Sequence, residues 1–218
     1  MQNSRKGFTL AEVLVTLAII GVVAALTIPT LIQNTNNQRY ATSLKKVVSM
    51  LNQAIQLSIA NNGTDLSSLA ATPTGTTILG LLDDSLSYLK TDTTTADQAV
   101  IWLADGSKIG FVGAASKTCG SAGVNLADPS ASTALANMCY AIVDTNGDKG
   151  PNTLASATSA SDVYVLAINN TSVVPVNAAA APTITAGAGF GKNASGGSVT
   201  YTTATPGKAS FNAVTGAT

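Results

Sequence analysis

The chain contains no histidine. That absence removes Ser-His-Asp and Cys-His catalytic arrangements, imidazole acid-base chemistry and His-ligated zinc together. Lysine, tyrosine or paired carboxylates could still transfer protons, but no grouping of them suggests a catalytic set. Cysteine is nearly absent as well: Cys119 and Cys139 are the only two, too few for a structural zinc site. In an exported domain such a pair reads as a disulfide, with free thiols as the alternative. Charged residues make up 10% of the chain, against about a quarter in ordinary soluble domains. They also balance, with 11 Lys and Arg against 11 Asp and Glu. A chain with no net charge has no electrostatic reason to bind nucleic acid or an anionic surface through its whole domain. No basic stripe interleaved with aromatics argues for nucleic acid either.

What the chain does have is one long apolar run near its start. Between Phe8 and Ile32 the only ionisable side chain is Glu12, and the rest is Val, Leu, Ile and Ala with a few Thr, Gly21 and Pro29. A helix of about 20 mostly apolar residues is enough to cross a bilayer. Arg5-Lys6 precedes the run, which by the positive-inside rule holds that end at the cytoplasmic face and sends the following domain outward. A secretory signal peptide begins in the same way, but its small-residue cleavage site follows the apolar core. Here the small residue, Gly7, comes first, so a cut beside it would leave the apolar run on the mature chain.

The string Lys6-Gly7-Phe8-Thr9-Leu10-x-Glu12 resembles the processing site of type IV pilins and of the related pseudopilins of type II secretion systems. The resemblance implies a structural subunit and not an enzyme. It implies that a prepilin peptidase cuts between Gly7 and Phe8 and methylates the new Phe8 amine. It further implies an inner-membrane assembly platform and polymerisation with copies of this chain or other pilin subunits. The precursor would be a single-pass inner-membrane protein, and the product an extracellular or periplasmic filament. Gly21 and Pro29 fall where many such proteins carry a helix-loosening glycine and proline, and Pro29 is expected to kink the helix by removing a backbone donor. A carboxylate in a bilayer-spanning helix is unfavourable and usually functional. The resemblance gives Glu12 the role of pairing with the Phe8 amine of a neighbouring subunit, which selects register more than it adds net stability. The plainer reading leaves Glu12 solvated among the headgroups. A membrane-tethered adhesin or binding module, recognising its ligand through the C-terminal region, is the reading from another class.

The remainder divides into a leader at residues 1–7, the membrane and assembly helix at 8–32, a globular head at 33–168, and an Ala-, Thr- and Gly-rich region at 169–218 that reads as peripheral strands or irregular loops. Beyond the polar residues 33–39, an apolar stripe at Tyr40, Leu44, Val47, Val48, Leu51, Ile55 and Ile59 has helical spacing. Ser43, Lys45, Lys46, Asn52, Gln53 and Gln56 form the opposite, polar face. One helix is expected from Thr9 to a stop at Gly63, the alternative being two helices joined at residues 33–37. A short amphipathic helix is expected over 78–89, with a helical turn near 131–136. Strands are expected over 100–103 and 108–112, flanking the Asp105-Gly106 turn, and again over 139–143 and 162–168. Strand-like pieces also occur at 172–174, 183–185 and 198–202. The single Trp102 is expected in the core or against the long helix. The fold class is α+β, pilin-like, with the long helix packed on an antiparallel sheet of about four strands.

Two further features lie in the head. Asp144, Asn146 and Asp148 place three oxygen donors at alternate positions, as hard cations such as calcium prefer. Asn152 is a possible fourth donor. The sixth and twelfth positions are Lys149 and Ala155 where an EF-hand carries Gly and Glu, so a strand-to-loop turn with Asp144 capping local amides is the favoured reading. The segment also resembles an Asp-x-Asn-Gly-x-x-Gly-Pro-Asn loop of many pilin-like proteins. A Cys119 to Cys139 bridge would close a loop of about 20 residues, worth roughly 3 kcal/mol.

Overall fold

The computed structural model describes residues 7–63, 65–69, 73–94, 98–113, 119, 139–150, 152 and 162–175. The chain forms two compact units, Met1–Gln38 and Arg39–Thr218.

One helix, α1 (Leu10–Asn62), contributes to both units. It runs unbroken through residues 33–37 and through Pro29, so the two-helix alternative does not describe this chain. In the first unit the apolar residues go all the way round. Val13, Leu17, Ile20, Leu26 and Leu31 are each 45% exposed or more. Among the described residues this is the helix long and apolar enough to cross a membrane.

In the second unit the same helix turns amphipathic. Leu44, Val47, Leu51 and Ile55 are buried to 1% or less, each worth about 1.5–3 kcal/mol in transfer terms. They pack on an antiparallel meander, in spatial order β1 (Lys90–Asp92), β2 (Gln98–Trp102), β3 (Lys108–Val112), β4 (Cys139–Asp144), β5 (Val163–Ile168) and β6 (Val173–Pro175). Ile101, Ile109 and Val143 face one another across β2, β3 and β4 and join the helix in the main core. A short α2 (Gly75–Leu82) completes this layer through Ile78, Leu79 and Leu82. It begins at a reciprocal cap, with the Thr77 amide donating to Thr74 Oγ1 at 3.2 Å and the Thr74 amide donating to Thr77 Oγ1 at 2.8 Å.

The sheet has six strands where about four are expected from sequence. The additional ones, β1 and β6, are three-residue edges. Both are fixed by backbone pairing to β2 and β5; β1 carries no apolar pattern that a sequence could reveal, whereas β6 falls on the strand-like piece at 172–174. The expected short helix also shifts. It starts at Gly75 and stops at Leu82, followed by a 3₁₀ turn at Asp83–Ser85. Leu86 is extended, at φ −111° and ψ 135°, and Leu89 is 75% exposed. The Asp83-Asp84-Ser85 run favours local capping over continued helix, and the chain turns there into β1.

Trp102 is in the core but not against the helix. It belongs to a second cluster on the other face of the sheet, with Val100, Ile142, Val163 and Val165. Of the polar helix face, Ser43, Asn52 and Gln56 bond to the sheet side. Ser43 Oγ donates to the Thr145 carbonyl, Asn52 pairs with Val173, and Gln56 Nε2 donates to the Thr171 carbonyl. The expectations at residues 131–136, 183–185 and 198–202, and the Arg5-Lys6 pair, lie outside the described residues.

Candidate functional site

At the start of α1, Thr9 is the residue before the first helical turn and Glu12 is the third residue within it. The Glu12 carboxylate accepts from the Thr9 amide at 2.8 Å and from Thr9 Oγ1 at 2.8 Å, while Thr9 Oγ1 accepts the Glu12 amide at 3.3 Å. This is a reciprocal capping box of the Thr-x-x-Glu type. It satisfies two amides that the first turn leaves without intrahelical partners. It also sets the charge of Glu12 against the positive end of the helix dipole. Thr9 was readable in the sequence from that spacing, yet the expectation for this site rested on Glu12 alone. Phe8, beside it, is 90% exposed, and Gly7 has no atom near the position a Cβ would take.

Further along, the polar groups of the apolar half are folded onto the helix itself. Thr16, Thr27, Thr30 and Thr35 each donate their hydroxyl to a carbonyl three or four residues back, at 2.8–3.0 Å. Hydroxyls paired in this way do not need water, which is what a hydrocarbon surrounding requires of a helix. Pro29 has no amide to give the carbonyl of Ala25. Gly21 lies eight residues before it, with open space where a side chain would stand.

The second candidate is the β4–β5 connection. Asp144 closes β4 fully buried, and its Oδ1 accepts the Asn146 amide at 3.2 Å. Asn146 Nδ2 lies 3.0 Å from Asp162 Oδ2, 3.3 Å from the Gly150 carbonyl and 3.4 Å from the Tyr40 hydroxyl. Asp162, also fully buried, accepts the Asn152 amide at 2.8 Å through the same Oδ2. Its backbone carbonyl takes the Thr145 amide and hydroxyl, both at 2.9 Å.

Asp148 is engaged by a cation already in the chain. The Lys108 ammonium, on a side chain with no exposure, lies 3.0 Å from Asp148 Oδ1. Strand pairing sets Lys108 directly across from both Trp102 and Asp144, and the ammonium is 6.0 Å from the centroid of the Trp102 ring. One oxygen of Asp144 and one of Asp148 are therefore already engaged, by an amide and by an ammonium. Asn146 Oδ1 and Asn152 Oδ1 are buried oxygens with no hydrogen-bond partner among the described residues. Among those residues no group of three or more His, Cys, Asp or Glu is placed to hold a metal. The donor set fits a hard cation only in part, because the Lys108 ammonium already neutralises the Asp148 carboxylate.

The environment of the loop also perturbs tyrosines. Burial, then the Asp162 charge, then Tyr40 push the Tyr164 hydroxyl up to about 12, and burial raises Tyr140 on β4. Cys119 and Cys139 are joined by a disulfide with a Cα–Cα distance of 5.1 Å. Both are fully buried, and Cys139 is the first residue of β4. Phe8, Glu12, Gly21 and Pro29 thus belong to the first unit, and Asp144, Asn146, Asp148 and the disulfide to the second.

Two known families match successive parts of the chain. Residues 2–28 match the prokaryotic N-terminal methylation motif, the signature of type IV pilins and pseudopilins. Residues 30–72, holding the second half of α1, match a family of unknown function (DUF6613). No solved structure matches the chain.

Proposed function

Starting from the pilin and pseudopilin signature at residues 2–28, we propose that this chain is a structural subunit of a type IV pilus-like filament. A prepilin peptidase removes residues 1–7 and methylates Phe8. The inner-membrane assembly platform then draws the subunit from the bilayer into a polymer with itself or with other pilin subunits, serving adhesion, motility or uptake. The observation that carries this reading is the coincidence of the motif with an apolar helix half exposed on every side. Such a surface requires either lipid or neighbouring helices around it. Glu12 is the one charge on it, and in the filament its partner is the Phe8 amine of the next subunit. In the single subunit Thr9 satisfies the same carboxylate, which lets Glu12 enter the bilayer region hydrogen-bonded.

Glu12→Ala is expected to leave the precursor inserted and cleaved while filament number falls sharply. Normal filament numbers in that variant would contradict the role given to Glu12. A type II secretion pseudopilin satisfies the same signature. Deletion separates the two, since loss of surface fibres marks a pilin and loss of exported enzyme with fibres intact marks a pseudopilin. The adhesin reading is tested by truncation after Pro175, which retains β6. Filaments that persist without attachment would favour it.

For the β4–β5 connection, the reading is a structural turn with Lys108 as its resident cation. Calcium, were it to bind, would draw on Asp144, Asn146, Asp148 and Asn152 and add charge neutralisation to Asp144. Calorimetric titration is expected to show no heat and no melting shift with calcium. A saturable heat lost in Asp144→Asn would establish the metal site instead.

A further inference from the structure

Two turns at one end of the head hold the same short stretch of α1. The β2–β3 turn reaches it through an ion pair, Lys46 Nζ to Asp105 Oδ2 at 2.7 Å. The other oxygen of Asp105 is fixed by the Ser107 amide at 3.0 Å and the Ser107 hydroxyl at 2.6 Å. The β4–β5 connection reaches the stretch through Ser43 Oγ to the Thr145 carbonyl at 3.3 Å and through Asn146 Nδ2 to the Tyr40 hydroxyl at 3.4 Å. Tyr40, Ser43 and Lys46 follow one another at intervals of three, so each is a neighbour of the next on the helix surface.

The two turns also brace each other. Gly147 has φ +70°, and a Cβ built there would collide with the backbone carbonyl of Gly106. Glycine is required at that position both for the backbone conformation and for the close approach. Behind the β4–β5 connection, Asp162 gathers Thr145, Asn146 and Asn152, and the buried Lys108 holds Asp148.

We infer that these two turns form a clasp that sets where the head's grip on α1 begins, so that opening of the helix from its N-terminal side stops at residues 40–46. The reason lies in the order of anchors along the helix. The first fully buried apolar side chain is Leu44, while Tyr40 and Ala41 are only half-buried and Arg39 is exposed. Apolar burial alone would leave the turn before Leu44 free to fray. The clasp supplies polar contacts there, on connections stiffened by buried partners. Such contacts are lost together because both turns move as one unit through Gly106 and Gly147. Any pull transmitted along the helix would meet this point before it reached the Leu44, Val47 and Leu51 core. The inference concerns the head alone and does not depend on the filament reading.

Hydrogen exchange of the full chain in detergent micelles, followed by mass spectrometry on peptides covering residues 33–50, tests the clasp. In the parent protein, slow exchange is expected to start at residues 40–44. Asn146→Ala and Gly147→Val are each expected to speed exchange at residues 40–46 by about tenfold or more, moving the onset of protection to Val47 while β2 and β5 stay protected. Asp105→Ala opens the other jaw from the surface, without burying a new group, and is expected to give a smaller increase of about threefold over residues 43–50. Asn52→Ala removes a helix-to-strand contact elsewhere and should leave residues 40–46 unchanged. Unchanged exchange there in Asn146→Ala and Asp105→Ala, or equal loosening in Asn52→Ala, would overturn the clasp.

Discussion

The two halves of α1 differ in composition and meet opposite surroundings: from Leu10 to Ile32 all but six residues are Val, Leu, Ile or Ala, whereas from Gln33 to Asn62 the majority are Asn, Gln, Ser, Thr, Lys or Arg. Over residues 7–35 every side chain is exposed except that of Ala24, which is half-buried. From Leu44 onward an apolar side chain is buried every three or four residues, while Lys45, Lys46 and Ser49 between them stay exposed. Both the amount of hydrophobic residue and its distribution separate the halves. An all-round apolar surface cannot be covered by one sheet and calls for lipid or other helices on all sides. A single stripe can be covered by one neighbouring layer. The polar residues divide in the same way. Threonines in the first half bond back to their own helix, whereas Ser43, Asn52 and Gln56 in the second reach across to the rest of the head.

One side-chain truncation in each half separates them most sharply. Leu51→Ala is expected to destabilise the head by about 2–5 kcal/mol, because it opens a cavity beneath the sheet. Leu17→Ala, in the exposed half, should change head stability by no more than about 0.5 kcal/mol. Denaturant unfolding in micelles reads both, and equal losses would mean that the halves are not separate. Next in size, Cys139→Ser should cost the head about 3 kcal/mol by releasing a loop of 20 residues, with insertion into membranes unaffected. Measured melting of the membrane-extracted protein with and without reductant checks this.

The third prediction concerns pH. Tyr164 titrates from an ordinary value near 10 up to about 12 in the fold. The folded state therefore keeps its proton where the unfolded state has lost it. The corresponding stability, about 2–3 kcal/mol for two pH units, is complete below pH 10 and is lost as pH rises to 12. Tyr164→Phe should flatten most of that alkaline loss, and a loss that persists unchanged would point to Tyr140 as the group responsible. The smallest effect belongs to Asp105. Its partial burial works to raise its pKa, but hydrogen bonds from Lys46 and from the Ser107 hydroxyl and amide prevail and lower it. That contribution is present above the ordinary carboxylate range and is lost as pH falls through the depressed value. Because Lys46 is largely solvated, Asp105→Asn should cost no more than about 1 kcal/mol.

Much of this architecture is legible in the sequence alone, and the parts that are not share physical reasons. The long helix, its apolar stripe and the four central strands announce themselves through periodicity and apolar runs. Edge strands such as Lys90–Asp92 do not, because backbone pairing and not side-chain burial holds them. Ser43, Asn52 and Gln56 read as solvent-facing because polarity says nothing of a distant carbonyl within reach. The partner of Glu12 within its own turn was present in the Thr9-to-Glu12 spacing. Lys108 gave no such signal. Nothing in a strand reading Lys-Ile-Gly-Phe-Val marks its lysine as wholly buried beside Trp102 and Asp148, since that placement depends on β4 and the loop beyond it.

Under the proposed function the apolar half of α1 remains on the working protein, with lipid and then other subunits as its surroundings. The most direct test is the mass of the N-terminal peptide of the chain recovered from sheared surface filaments. The expected chain begins at Phe8 with one methyl group on its amine and retains residues 8–32. A chain that begins beyond Ile32 would contradict it, because the apolar run would then have been a discarded signal.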